Sequence, residues 1–404
     1  MNNMFTGKVA LISFSDFHLG RALGVAQALT KIGFQCIIFT NKPVYQKKIK
    51  WNNLMKNCKI YEISLPPLSY HHILNRLILY TIFMVKCTIR ILQQDSLIFI
   101  YSRGPHPWTD LTGLTIKFLR KIPLIIDVTD LWPDALNYIT LNLILKKALI
   151  RLGHLVTNVV YRLSDVIVTH VKPIAEIIKE RGGRKIFIIH GFIDSSIFRP
   201  INKEKALKMF NKSLMEKVRN KFIILYAGLI GPFQAPHIII KLAMLLSKYD
   251  NILFLIAGNG PLLPSLLYKV NKYGLKNIIY LGVFPFKKMR YLYNIADLCL
   301  LSYDCNPYVS LCLPKKFMEY AACGKPILII SPPCIVSNLC LKFGAGWHFT
   351  ESNLDKATEI ILALAKGKID ITHVGRRARF MAKELFSIEF AMSKLINVIR
   401  SIYN

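Results

Sequence analysis

Short apolar runs of strand character alternate along the chain with segments of helical period, and glycine or proline marks most of the junctions. Residues 8–13 form such a run, 22–31 carry helical spacing, Gly33 stops it, and 35–40 start the next run. Further strands are predicted over 97–101, 123–128 and 164–169. The same rhythm returns at 222–227, 252–257, 278–282, 298–301 and 327–330. Strands that are apolar throughout, separated by helices, predict an α/β protein whose parallel sheets are covered on both faces. Two stretches without charge, 222–240 and 251–268, each contain two glycines and two prolines. They read as strand, glycine loop and helix, so no transmembrane helix is predicted.

At 404 residues the chain suits two domains. A lysine-rich polar stretch over 202–221 separates the halves, which places the domains at 1–200 and 201–385, with a last helical pattern over 386–404. The formal charge is +31, with 26 basic against 11 acidic residues up to position 200 and 28 against 12 beyond it. The excess is thus a property of both halves, and it favours phosphorylated substrates or an anionic membrane surface. A nucleic-acid partner is not expected, because no RNA- or DNA-binding motif accompanies the charge. Nine cysteines without a Cys-x-x-Cys pair, and no clear signal peptide ahead of Lys8, point to reduced cytoplasmic thiols.

The densest chemistry lies at Leu313-Pro314-Lys315-Lys316-Phe317-Met318-Glu319-Tyr320-Ala321-Ala322-Cys323-Gly324-Lys325-Pro326. Proline ahead and glycine behind bracket a short helix. Lys315 and Lys316 in its first turn, beside the positive end of the helix dipole, make an anion cradle. Glu319 lies one turn deeper on the same side, where a carboxylate can accept from the two hydroxyls of a ribose. The plainer alternative is a surface helix with a Lys–Glu pair worth a few tenths of a kcal/mol. Glycines also end successive strands, at Gly228 and Gly231, at Gly258-Asn259-Gly260 and at Gly282, where a ligand can approach backbone closely.

In the first half, Gly20-Arg21 opens a helix without a full Gly-x-Gly-x-x-Gly, so it is either an approach to a phosphate or an ordinary helix start. The loops 102–108 and 129–134 follow strands at the end where open α/β sheets place their sites. There Asp130 can take a proton or hydrogen bond from an acceptor hydroxyl and His106 can orient one; Asp130 can equally be a helix cap. Segments 77–85 and 141–161, flanked by Lys86 and Arg90 and carrying Lys146, Lys147 and Arg151, fit either packing on a sheet or contact with a membrane surface.

Pro-x-Lys-x-x-Glu-Tyr-x-Ala-x-Gly-Lys-Pro at 314–326 resembles the donor-binding signature of the retaining glycosyltransferases of GT-B fold, in their bacterial surface-polysaccharide, fucosaminyl-transferase-like branch. Asp-Leu-Trp-Pro-Asp at 130–134 and His190-Gly191-Phe192-Ile193-Asp194 resemble further segments of that branch. The resemblance implies two Rossmann-like doubly wound domains facing a central cleft, the first for the acceptor and the second for a nucleotide sugar, with the last helix crossing back to the first. It implies that Lys316 meets the donor diphosphate and Glu319 the ribose, with Gly228, Gly231, Asn259, Gly260, Gly282 and Lys315 lining the donor site. Asp130 and His106 are the catalytic candidates, no metal or other cofactor is expected, and the acceptor is a lipid-linked sugar or a glycan at the inner membrane face. The chain departs from the family where relatives place arginine, lysine and glutamate; here stand Leu229, Gln234 and Leu311. Those departures keep two alternatives open, a non-catalytic donor-binding scaffold subunit and a sugar-nucleotide epimerase of the same fold.

Overall fold

The structure is a computed structural model, and it describes residues 6–14, 20–41, 57–69, 72–104, 106–138, 142–306 and 310–403. Of the stretches read above, residues 105, 141 and 404 lie outside the described residues. The chain divides into two compact units, Met1–Phe192 with Ile388–Asn404, and Ile193–Ser387. The junctions therefore fall after 192 and 387, where the sequence reading put them after 200 and 385. A bridge between Ile193 and Ser387, and the Ile193 N–H donating to the Phe386 carbonyl at 2.7 Å, tie the two passages of chain together.

The first unit holds β1 (Lys8–Ser13), α1 (Arg21–Ile32), β2 (Gln35–Asn41), β3 (Cys58–Ile63), α2 (Ile73–Leu92), β4 (Leu97–Arg103), α3 (Pro107–Arg120), β5 (Leu124–Val128), α4 (Leu143–Leu163), β6 (Val166–Thr169), α5 (Lys172–Glu180) and β7 (Ile186–Ile188). Its sheet runs β3-β2-β1-β4-β5-β6-β7, parallel throughout. The second unit begins with α6 (Lys203–Leu207) and α7 (Lys212–Val218). It continues through β8 (Phe222–Ala227), α8 (Pro236–Leu245), β9 (Ile252–Ala257), α9 (Leu263–Lys272), β10 (Ile278–Tyr280), α10 (Phe286–Ile295) and β11 (Leu298–Ser302). It ends with α11 (Lys315–Ala322), β12 (Ile327–Ile330), α12 (Ile335–Phe343), β13 (Gly346–Phe349), α13 (Leu354–Ala365) and α14 (Ile371–Leu385). The parallel order there is β10-β9-β8-β11-β12-β13.

Burial explains the continuous apolar strands. Ile224, Leu225, Leu255, Leu300 and Ile329 are all buried, because helices cover both sheet faces. The last helix, α15 (Ile388–Arg400), belongs to the first unit, where Ile388, Leu395 and Ile399 share a core with Val9, Leu11 and α1. Each sheet reverses its strand order once, between β1 and β4 and between β8 and β11, and the carboxyl ends at such a reversal are the natural ligand positions of an open α/β sheet. Among the described residues no helix is long and apolar enough to cross a membrane.

Arg21 resolves toward a structural role. Its Nε donates to both carboxylate oxygens of Asp127, at 3.0 and 2.8 Å, and its guanidinium lies 4.8 Å from the Phe192 ring centroid. Tyr101 donates its hydroxyl to the same carboxylate at 2.8 Å. Asp127 sits on β5 with its side chain fully enclosed, and a buried carboxylate needs such partners. Arg21→Ala is expected to destabilise the first unit by roughly 3–5 kcal/mol, since it strands the Asp127 charge. Urea unfolding measures this, and a loss below about 1 kcal/mol would show the pair to be incidental.

Candidate functional site

The second unit brings α11 to the carboxyl end of β8, at the reversal in strand order. Phe317, Tyr320, Ala321 and Ala322 are buried, which lays one side of this helix on the sheet and fixes its first turn beside Gly228. Lys316 extends over the Tyr226 ring, with Nζ 4.2 Å from the centroid and 3.2 Å from the tyrosine oxygen. At Gly228 φ is +135°, so the backbone needs glycine, and an added Cβ would stand 3.3 Å from that lysine, which would have to give by a few tenths of an ångström. The Lys316 side chain keeps some solvent contact along its length, yet burial around the ammonium pushes its pKa down to about 7. Pro314 precedes the helix and no side chain caps it. This is a cation held at a helix N-terminus by a loop and a ring.

Glu319 is buried. Its Oε2 accepts from the Tyr293 hydroxyl at 2.7 Å and its Oε1 lies 3.2 Å from Lys315 Nζ. Lys315 in turn stands 4.5 Å from the Phe286 ring centroid. Both carboxylate oxygens are engaged, but a carboxylate offers about four lone-pair sites, so room remains for a diol. Tyr226 and Tyr293 were not read from the sequence. Their signal was faint: one tyrosine lies in an apolar strand and the other at the eighth position of the ten-residue helix α10.

Two of the other glycines also meet neighbouring backbone. A Cβ at Gly258 would fall 1.8 Å from the Gly228 carbonyl oxygen, and one at Gly260 would fall 2.2 Å from that of Ile230. These two are required by backbone packing of one loop on the next, with the Ile230 N–H donating to the Asn259 carbonyl at 2.9 Å. Gly282 has open space around it, and Asn259 is exposed. Gly231 precedes Pro232, with Gln234 Oε1 2.8 Å from where its Cβ would stand. That oxygen is buried without a hydrogen-bond partner, and the neighbouring Leu229 is 56% exposed.

In the first unit the two catalytic candidates do come together, across a cavity of about 20 Å³ that has room for one water. His106, Asp130, Trp132 and Tyr161 line it, together with Asp110, which the sequence reading missed. Its signal was present, since Asp110 is one helical turn from His106 in the first turn of α3. His106 stacks on Tyr80 with centroids 3.7 Å apart, packs against Phe14, and is driven by burial down to a pKa of about 3. It is therefore a neutral imidazole, able to orient a hydroxyl and unable to act as a charged acid. Asp110 is pushed up to about 7 by burial, against the lowering effect of the Ser102 hydroxyl that donates to it at 2.7 Å. Asp130 keeps partial exposure, with Thr129 Oγ1 at 3.3 Å from its carboxylate. Among the described residues no group of three His, Cys, Asp or Glu is placed to hold a metal.

Two Rossmann-like units, each built on a parallel sheet, with a basic helix tip at the strand reversal of the second, define the GT-B class of fold. Residues 210–381 match the family described as Glycosyl transferases group 1. Among solved structures, sucrose-phosphate synthase from Thermosynechococcus elongatus is similar at a TM-score of 0.74 and 15% identity, over 98% of this chain and 99% of that one. The Anabaena protein Alr3699/HepE in complex with UDP and glucose gives 0.73 at 14% identity, over 98% of this chain and all (100%) of that one. WaaG, a glycosyltransferase involved in lipopolysaccharide biosynthesis, gives 0.65 at 14%, over 95% and 98%. None of the curated proteins matches the chain in sequence.

The ordinary carboxyl value of 3.8 and the folded value of about 7 fix a sign for Asp110. The folded state holds its proton where the unfolded state has released it, so this residue's stability contribution is full below 3.8 and is lost as pH rises through about 7. Asp110→Asn should flatten the fall in stability across that window, a difference of a few kcal/mol between its ends. Thermal melts of both proteins from acid to neutral pH decide it; parallel curves would place Asp110 in a solvated setting.

Proposed function

We propose that the protein is a retaining glycosyltransferase that moves a sugar from a nucleotide-diphosphate donor onto a lipid-linked or glycan acceptor in surface-polysaccharide synthesis. The observation that carries the reading is Lys316, a half-buried lysine whose ammonium is held beside Gly228 at a helix N-terminus, where a diphosphate would favour its charged form. The match over 210–381 supports it, as do the UDP-sugar complexes of a protein of the same fold. In this reading the second unit takes the donor. Glu319 accepts from the ribose, and the arriving diol competes with Lys315 for its Oε1, which frees that ammonium to turn to the diphosphate. Charge on the departing diphosphate is met by Lys315, Lys316 and the helix dipole, with no metal required. The first unit takes the acceptor, whose hydroxyl would meet Asp130 with neutral His106 orienting it. The setting is the cytoplasmic face of a membrane.

Leu229 in an exposed position beside the site, and Leu311 in place of a glutamate, favour one second reading, a donor-binding subunit without turnover. A panel of nucleotide sugars scored by thermal stabilisation tests the site itself, because a ligand of the folded state raises the melting temperature with log concentration. One or more members should stabilise the wild type, with the shift lost in Lys316→Ala and in Glu319→Gln. An unchanged shift in both variants removes the basis of the assignment, and stabilisation without product across many acceptors selects the second reading.

The titration of Lys316 gives an independent check. Above about pH 7 the free protein holds this lysine largely neutral, and a bound diphosphate restores its charge. Donor binding should therefore take up a proton and weaken as pH rises above about 7. Calorimetry in buffers of different ionisation enthalpy reads the uptake directly, and Lys316→Met should remove it.

A further inference from the structure

Three helices of the first unit carry apolar residues on the side turned away from the sheet as well as on the side packed against it. On α2 the inward line is Leu79, Phe83, Cys87 and Ile91, all buried. The outward line is Leu74, Ile78, Val85 and Ile89, all exposed. These sit four, seven and four residues apart, which is one stripe along the helix. On α4 the inward line runs through Gly153, Thr157 and Val160, and the outward line through Ile144, Leu152, Leu155, Val159 and Leu163. Ile144 is 80% exposed. Phe118 and Leu119 at the end of α3 are also exposed.

The three helices share one side of the sheet. α1 carries the chain from β1 toward the β3 edge, whereas α2, α3 and α4 each lead toward the β7 edge, and right-handed crossovers put the two sets on opposite faces. α3 packs against both α2 and α4. The outward stripes thus form one broad apolar face, larger in extent than single scattered surface residues account for.

Its charge is of one sign. Neither α2 nor α4 contains an acidic residue, and the aspartate of α3, Asp110, is buried. Lys86, Arg90, Lys147 and Arg151 are exposed among the apolar stripes. A second copy of this chain would bring a like-charged face against it, which disfavours self-association. An anionic lipid surface complements both properties, taking apolar side chains at the headgroup boundary and cations among the phosphates.

We infer that the outer face of α2, α3 and α4 is a docking surface for an anionic phospholipid membrane. The inference stands apart from the donor reading, because it uses none of the α11 residues. It also has a bearing on the acceptor, since the inward side of α4, through Thr157, Val160 and Tyr161, walls the cavity that holds His106 and Asp130. A helix that rests on lipid outside and lines that cavity inside would bring a lipid-borne sugar within its reach.

Flotation of the full chain with vesicles tests this. The protein should float with vesicles containing phosphatidylglycerol and far less with phosphatidylcholine alone, and added salt should release it. The triple variant Ile78→Glu, Leu152→Glu, Leu155→Glu should lose flotation at least about tenfold. The quadruple variant Lys86→Gln, Arg90→Gln, Lys147→Gln, Arg151→Gln should weaken partition into the anionic vesicles by roughly a hundredfold. Melting temperature and any nucleotide-sugar stabilisation should be unchanged in both, which separates this result from the fate of the donor site. In a folded Ile144→Trp variant the added fluorescence should shift to the blue on anionic vesicles. The inference is overturned if the wild type does not float, if the triple variant floats equally, or if the added tryptophan does not shift. It is also overturned if the wild type self-associates through a contact that the triple variant abolishes, which would assign the face to a second copy.

Discussion

A lysine ammonium placed where water is scarce and no carboxylate offsets it is costly, and around Lys316 the second unit is arranged to hold one in place. The Tyr226 ring lies beneath it, the Gly228 loop beside it, and the dipole of its own helix adds positive potential. None of these neutralises the charge. Burial around the ammonium lowers its pKa, while the attraction of the Tyr226 ring for a cation works the other way. Lys315 differs in kind, because Glu319 already partners it. Two adjacent lysines are therefore in different settings, one over a tyrosine ring and one paired with a carboxylate.

The first unit shows the opposite treatment of buried charge. Arg21 pairs with Asp127 through its Nε, Tyr101 donates to the same carboxylate, and the pair joins α1 to β5. Close by, Asp110 has a hydroxyl for company and no cation in hydrogen-bond contact, so burial raises it toward neutrality. The Arg21–Asp127 pair serves the fold, and Asp110 lines the cavity.

Much of this was legible in the sequence because it is local. Apolar strands such as 222–227 and 327–330 announce themselves by composition, and Lys315, Lys316 and Glu319 share one helix, so their spacing alone sets them on a common side. The architecture of two parallel sheets follows from the alternation of strands and helices. What was not legible depends on partners far away in sequence. Arg21 meets Asp127 across 106 positions, and Tyr293 reaches Glu319 across 26, and nothing in either neighbourhood signals the other. Gly258 and Gly260 carry a further requirement, room for a neighbouring carbonyl, which exists only once the loops are side by side.

The placement of α15 has a consequence for biogenesis. Its residues Ile388, Ala391, Leu395 and Val398 complete a core whose other members lie within the first two hundred residues. A ribosome therefore delivers the whole of the second unit before the first can close its hydrophobic interior. The half that starts first finishes last. Until the final turns emerge, α1 and its strands expose a vacant apolar seat that invites chaperones, and a late nonsense codon would injure the distant N-terminal half more than the half it interrupts.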